Sequence, residues 1–258
     1  MGSIMDLEES KIIELKNLIK KSKKIVFFGG AGVSTESGIL DFRSKDGLYN
    51  LKSKYDKPYE VMLSHSYYEE NTKTFFEFYK EFMITSAQPN EAHKYLAYLE
   101  KSKDLTIITQ NIDGLHQAAG SKNVIELHGS IKRNYCTKCG AFYDENYIKN
   151  SKGIPLCNKC KGIIKPDVTL YEEPVNEYAF LKARFAIEQA DLLIIAGTSL
   201  NVYPANSLIY YFYGDNIVLI NNDDQIINRK IKLFIKGKVG EIFKKLYWIP
   251  LIFIIFKI

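Results

Sequence analysis

The sequence predicts an α/β fold, a parallel sheet covered on both faces by helices, with a smaller domain formed by a zinc ribbon and a helical insertion. Three observations carry this reading: short β-rich runs alternate with amphipathic segments, a glycine loop follows the first run, and all four cysteines stand in two Cys-x-x-Cys pairs. Apolar strands alternating with helical patterns are the mark of parallel strands joined by crossover helices. With 258 residues, 46% of them hydrophobic, the chain can bury a substantial core in one large domain plus a smaller one.

The first segment, "MGSIMDLEESKIIELKNLIKKSKK", sets Ile12, Ile13, Leu15, Leu18 and Ile19 at helical spacing among charges. It lacks the continuous apolar stretch of a signal peptide and the sixth-position Ser or Thr that myristoylation prefers, so a cytoplasmic protein without a lipid on Gly2 is expected. The strand Ile25–Phe28 then runs into Gly29, Gly30 and Gly32, which begin like a dinucleotide-binding loop, although Thr35 stands where the fingerprint has its third glycine. Residues 45–85, rich in Tyr, Phe and charge, read as a helical insertion. Asn90, after Pro89, caps a helix reaching Leu99. Further strands are expected at Leu105–Thr109, Val124–Leu127, Val168–Tyr171, Leu192–Ala196 and Ile217–Ile220, with a helix from about Asn176 to Gln189. The end of the chain, "YWIPLIFIIFKI", is almost wholly apolar, but about a dozen residues fall short of the roughly 20 that a spanning helix needs. Packing on the body, joining a partner chain or having no role are all open for it.

The formal charge of +5 comes from 35 basic and 30 acidic residues spread along the chain, which excludes a concentrated polycation gripping nucleic acid. Cys136 and Cys139, then 17 intervening residues, then Cys157 and Cys160 form two knuckles of the kind that hold one structural Zn²⁺ tetrahedrally. A disulfide framework does not suit a chain with no secretory signal. Zinc ribbons often bind nucleic acid, but here Lys132, Arg133, Lys138, Lys159 and Lys161 are offset by Asp144 and Glu145, and the ribbon lies inside the α/β frame.

Gln110, Asn111, Asp113 and His128 all fall where strands of a parallel sheet deliver their carboxyl ends, the edge at which such sheets bind ligands. His128, between a strand and Gly129, is the candidate base near neutral pH. His65, His93 and His116 lack that placement and are read as structural. Gly197, Thr198 and Ser199 follow one further strand, and Asn221 and Asn222 another, supplying donors suited to phosphate and ribose.

These blocks name a family. "GAGVSTESGILDFR", "TQNIDGLH", "ELHGS", the paired knuckles, "KPDVTLYEE", "GTSLNVYPA" and "INN", in this order from roughly Leu7 to Leu246, make the chain resemble the bacterial-type sirtuins, NAD-dependent protein-lysine deacylases. The resemblance implies a Rossmann-like NAD-binding domain over residues 1–44, 86–132 and 166–258, and a small domain over 45–85 and 133–165. It implies a phosphate loop of Ala31, Gly32, Ser34 and Thr35, and a segment with Phe42 and Arg43 that closes over the nicotinamide ribose. A hydride-transfer enzyme, the other reading of the glycine loop, has no need of that closing segment. Gln110, Asn111, Ile112 and Asp113 would hold nicotinamide and its ribose, with Asn111 and His128 catalytic and His128 the general base. Gly197, Thr198, Ser199, Asn221, Asn222 and Val239 would take the rest of NAD; Val168, Tyr79 and Phe82 would meet the acyl-lysine. NAD is then a co-substrate, Zn²⁺ a structural ion, and the partner an acyl-lysine protein or peptide bound by a monomer, with no nucleic acid and no membrane span. The expected products are deacylated lysine, nicotinamide and O-acyl-ADP-ribose; ADP-ribosyl transfer and weakly active regulatory NAD binding are the alternatives.

Two departures stand out. Leu40 replaces the family's proline before Asp-Phe-Arg, which loosens the loop and points to weaker NAD binding. Phe82 stands where desuccinylating members carry an arginine, which disfavours succinyl-lysine and favours acetyl or longer apolar chains.

Overall fold

The computed structural model describes residues 4–41, 47, 55, 57–84, 86–224 and 227–248. Phe42 and Arg43, and the apolar tail from Ile249 onward, lie outside these residues.

Helix α1 (Ile4–Lys21) leads into strand β1 (Lys24–Gly29), as the spacing of its apolar residues predicts. Ile25 and Phe27 enter one core and Val26 and Phe28 another, so β1 is apolar on both faces. That is the demand a two-sided sheet makes on its central strands. β1 pairs in parallel with β2 (Asp104–Thr109) on one side and with β7 (Leu192–Ala196) on the other. β2 continues to β3 (Val124–Glu126), β7 to β8 (Ile217–Asn221), and β8 to β9 (Leu233–Lys236), giving the order β3-β2-β1-β7-β8-β9. α1, α5 (Glu91–Leu99) and α9 (Val239–Trp248) cover one face through Leu15, Leu96 and Phe243. α8 (Glu177–Gln189) and the 3₁₀ helix Ala205–Tyr211 cover the other through Ile187 and Leu208. Asn90 and Asn176 cap α5 and α8 with their side-chain oxygens, accepting from Ala92 N at 3.0 Å and Ala179 N at 2.9 Å.

The chain leaves β1 to build the sheet one way through β2 and β3, and returns to β7 to build it the other way. The carboxyl ends of β1 and β7 are therefore a topological switch point, where open α/β sheets bind their ligands.

A second core lies beside the sheet. It joins α2 (Tyr59–Met62), α3 (His65–Glu70) and α4 (Thr72–Phe82) to α7 (Glu145–Asn150) and to a three-stranded antiparallel sheet, β5 (Phe142–Tyr143), β4 (Gly129–Cys136) and β6 (Ile164–Val168). The helical insertion and the cysteine segment thus pack as one body. α6 (Leu115–Ala118) follows β2, and Asp113 caps its start by accepting from Leu115 N at 2.9 Å.

Two strand assignments differ from the sequence reading. The run expected at Val168–Tyr171 is no strand of the parallel sheet: Val168 ends β6, paired antiparallel with β4, and Tyr171 makes an isolated bridge to Ser64. The burial of β6 alternates, with Ile164, Pro166 and Val168 inward and Lys165 and Asp167 half-buried, which suits a sheet covered on one face only. β9 is absent from the sequence reading: it has only four residues, Lys232 precedes it and Lys236 ends it, so its apolar run Leu233–Ile235 is too short to stand out as a strand.

β4 opens at Gly129, whose φ is +75°. A Cβ there would lie 2.0 Å from the Asp167 carbonyl oxygen, so only glycine allows β4 and β6 to pair directly after His128. Gly129→Ala is expected to lower stability by at least the roughly 1–3 kcal/mol of a strained backbone. A urea midpoint equal to that of the parent would contradict this.

Candidate active site

Two loops meet at the switch point with almost nothing between their backbones. Gly30 N donates to Ala196 O at 3.2 Å, and Gly32 N to Gly197 O at 2.8 Å. A Cβ on Gly32 would come within 2.8 Å of Gly197 Cα, and one on Gly30 within 2.7 Å of Thr198 Cβ. The loop then turns through two short 3₁₀ helices, Ala31–Val33 and Thr35–Ser37, which carry Ala31, Gly32, Ser34 and Thr35 along the wall of a cleft of about 1660 Å³. Glu36 anchors the far side of the loop, accepting from Gly240 N at 2.5 Å in the first turn of α9. A carboxylate at a helix N-terminus is favoured by the exposed N–H groups and the helix dipole.

The loop after β2 is tied to this one by a chain of hydrogen bonds. The buried Ser34 hydroxyl donates to Asp113 Oδ2 at 2.7 Å and accepts from Asn111 Nδ2 at 3.1 Å. With Leu115 N on its other oxygen, the Asp113 carboxylate is held by two donors. Gln110 Nε2 donates to Thr198 Oγ1 at 3.2 Å, and Asn221 Nδ2 to Thr198 O at 2.9 Å, so the ends of β2, β7 and β8 are also joined. Gly197, Thr198, Ser199, Asn221 and Asn222 line the same cleft, as do Gln110, Asn111, Ile112 and Asp113. The side chain of Val239 is elsewhere: it is 2% exposed in the core beneath α9 and does not line the cleft.

His128 faces the cleft at the junction of the two bodies. Its Nδ1 lies 2.9 Å from the Gln110 carbonyl oxygen. A carbonyl only accepts, so Nδ1 carries the proton and Nε2 keeps the lone pair of a base. Burial lowers the imidazole pKa below its ordinary 6.5, partly offset by that hydrogen bond, so the ring is neutral at pH 7. His93 and His116 are buried with ring centroids 4.7 Å apart, and His65 bonds Glu173 at 2.8 Å; none of the three lines the cleft.

The opposite wall is apolar, with Val168, Tyr79 and Phe82 joined by Leu63 and Leu170. Leu63, Leu170 and Tyr171 were not singled out in the sequence. Tyr171 N donates to Leu63 O, and His65 N to Tyr171 O, each at 3.0 Å, so a strand-like ladder joins the chain after β6 to the helical insertion. Reading Val168–Tyr171 as part of the large sheet hid this wall. Leu40 is 47% exposed and also lines the cleft.

The four cysteines are thiols, and their sulfurs all lie within 4.8 Å of one another. The Cys136–Cys160 and Cys139–Cys157 sulfur separations, 3.3 and 3.7 Å, are too long for disulfides. They are near the roughly 3.8 Å between corners of a tetrahedron with Zn–S bonds of about 2.3 Å. Lys138 N points at Cys136 Sγ at 3.4 Å, and the Tyr143 hydroxyl at Cys157 Sγ at 3.0 Å draws that thiol's pKa down to about 6. The donor set fits Zn²⁺, and four sulfurs leave no position for chemistry.

A model of the Sir2 family matches residues 30–204. The chain belongs to the Sir2 family. An NAD-dependent protein deacetylase of Clostridium tetani is 57% identical over 231 residues, covering 88% of this chain and 94% of the relative. Among solved structures, a Sir2 protein with a p53 peptide and NAD⁺ superposes with a TM-score of 0.79 at 35% identity, over 92% of this chain and 97% of that one. A Sir2 variant with a deacetylated p53 peptide and 3′-O-acetyl ADP ribose gives 0.82 at 35% identity with the same coverage. This Sir2 chain thus shares the fold on both sides of its cleft with those proteins. No helix among the described residues is long and apolar enough to cross a membrane.

Purified protein is expected to carry one zinc per chain through Cys136, Cys139, Cys157 and Cys160, and chelation should lower its thermal midpoint, because metal-binding energy in such a site is folding energy. Metal analysis without zinc, or a midpoint indifferent to chelator, would contradict this.

Proposed function

We propose that the protein removes acetyl and other apolar acyl groups from protein lysines, consuming NAD and yielding nicotinamide and O-acyl-ADP-ribose. The observation that carries this reading is one cleft with a glycine phosphate loop at one end, an apolar channel at the other and a neutral, oriented imidazole between them. NAD brings its own leaving group, nicotinamide, and so makes the ribose carbon open to a weak nucleophile such as an amide oxygen. Everything else falls to the chain. Ala31, Gly32, Ser34 and Thr35 receive the phosphates. The Ser34–Asn111–Asp113 network and Gln110 fix the loop that receives the nicotinamide ribose, with Ile112 beside it. Thr198, Ser199, Asn221 and Asn222 take the adenosine side. Val168, Phe82 and Tyr79 enclose the acyl-lysine and keep water from it. His128 Nε2 accepts a proton from the ribose hydroxyls, relaying it while Nδ1 stays on the Gln110 carbonyl.

The name shared with the clostridial relative, and the peptide and acetyl-ADP-ribose carried by the structural neighbours, favour acyl transfer over ADP-ribosylation of another acceptor. Four clustered thiols suit a reducing compartment, which supports a cytoplasmic protein. The proposed division into two domains, at residues 44/45, 85/86, 132/133 and 165/166, makes β4 and β6 the struts between them.

His128→Ala is expected to cut NAD-dependent deacetylation by about 10²–10⁴, the worth of a positioned base, with much of the NAD affinity retained. In the parent protein kcat/KM should stay level through neutrality and decline only below pH 6.5, because burial depresses the His128 pKa and the base is lost only on further acidification. A variant as fast as the parent, or an acid limb above pH 6.5, would remove His128 from this role.

A further inference from the structure

The chain that leaves β6, residues 169–173, lines the cleft just beyond His128. It passes through a costly conformation: Glu172 has φ +74°, the left-handed region that residues other than glycine, asparagine and aspartate seldom enter. Such a turn persists only where its surroundings over-determine it. Two consecutive carboxylates do so here, both reaching the first turn of α3. Glu172 accepts from Ser66 N at 2.9 Å and from Ser66 Oγ at 3.0 Å. Glu173 accepts from Leu170 N at 2.9 Å and Lys165 Nζ at 3.1 Å, and closes on the His65 ring.

The imidazole is the part of this latch that can change. Its Nδ1 lies 2.8 Å from Glu173 Oε1 and its Nε2 3.3 Å from Glu69 Oε1, so both ring nitrogens face carboxylates. A neutral ring has a single N–H and would set its lone pair against one of them; only the imidazolium donates to both. Around the ring stand Glu69 on its own helix, the Tyr68 ring at 6.4 Å, and Glu173 and Lys165 from the other side, with Glu172 on the adjoining Ser66. The Glu173 hydrogen bond, helped by the fields of Glu69 and Glu173, outweighs burial and the Lys165 charge and raises the His65 pKa above its ordinary 6.5. The charge is complete below pH 6.5 and is lost as the pH rises through the raised value. The loops after β1, β2, β7 and β8, at the NAD end, are joined by other bonds.

We infer that protonated His65 is a positioning residue for the acyl-lysine peptide: it latches residues 169–173 to α3, so that the peptide side of the cleft loosens in alkali while the NAD side does not. The inference rests on the deacylase reading. Its test is steady-state kinetics between about pH 6.5 and pH 9, across the titration of a histidine, on the parent, His65→Gln and His65→Arg. The acetyl-lysine peptide has blocked termini and no histidine, and thermal midpoints report that each variant folds. In the parent the peptide KM should rise about two- to fivefold toward alkali, the worth of a partly exposed ion pair, with kcat and the KM for NAD level. His65→Gln, uncharged at every pH, should show the raised KM throughout. His65→Arg, charged throughout and with several donors, should show the low KM throughout. Should His65→Gln not fold, the parent and His65→Arg profiles still decide. A peptide KM level with pH in the parent, an alkaline rise that persists in His65→Arg, a His65→Gln KM equal to the parent's at pH 6.5, or an NAD KM that climbs in step would each overturn the inference while the deacylase reading stands. No turnover of any acetyl peptide would overturn both.

Discussion

The contact between the glycine loop after β1 and the turn after β7 governs the rest of the molecule. Gly197 sits at φ +58°, and a Cβ on it would meet Val33 N at 2.5 Å, so both backbones are bare where they touch. Any side chain at Gly30, Gly32 or Gly197 would force the loops apart. Their closeness brings Ser34 over Asp113 and Thr198 beneath Gln110, and those hydrogen bonds hold the loop after β2 in place. Gln110 in turn presents the carbonyl that fixes the His128 tautomer. The chemistry of one imidazole nitrogen thus depends, through two intermediate loops, on three residues without side chains.

The second body is joined to the first where that chemistry lies. β4 leaves the large sheet immediately after His128, and β6 returns beside it, with Thr169 N donating to His128 O at 3.0 Å. Arg133 spans the same junction, reaching Glu126 Oε2 at 2.6 Å and Asp167 Oδ2 at 2.8 Å. A metal-held ribbon therefore acts on the reaction through position alone. It stiffens the small core that carries the apolar wall, and its four sulfurs are withheld from the cleft.

Much of this was legible in the sequence where the signal is local. The glycine loop, the cap at Asn90, the two cysteine knuckles and the strands β1, β2, β3, β7 and β8 each rest on residues a few positions apart, within reach of periodicity and turn chemistry. What escaped depends on partners distant in sequence. The Glu36 bond to Gly240, the pairing of β6 with β4 in place of the large sheet, and the burial of Val239 away from the cleft are set by tertiary packing.

Product analysis tests the central claim, that one cleft couples NAD cleavage to removal of a lysine acyl group. Incubating the protein with NAD and an acetyl-lysine peptide and weighing every product by mass spectrometry should give deacetylated peptide, nicotinamide and O-acetyl-ADP-ribose in equal amounts. Peptide gaining the mass of ADP-ribose, or acetate released while NAD remains intact, would contradict the account.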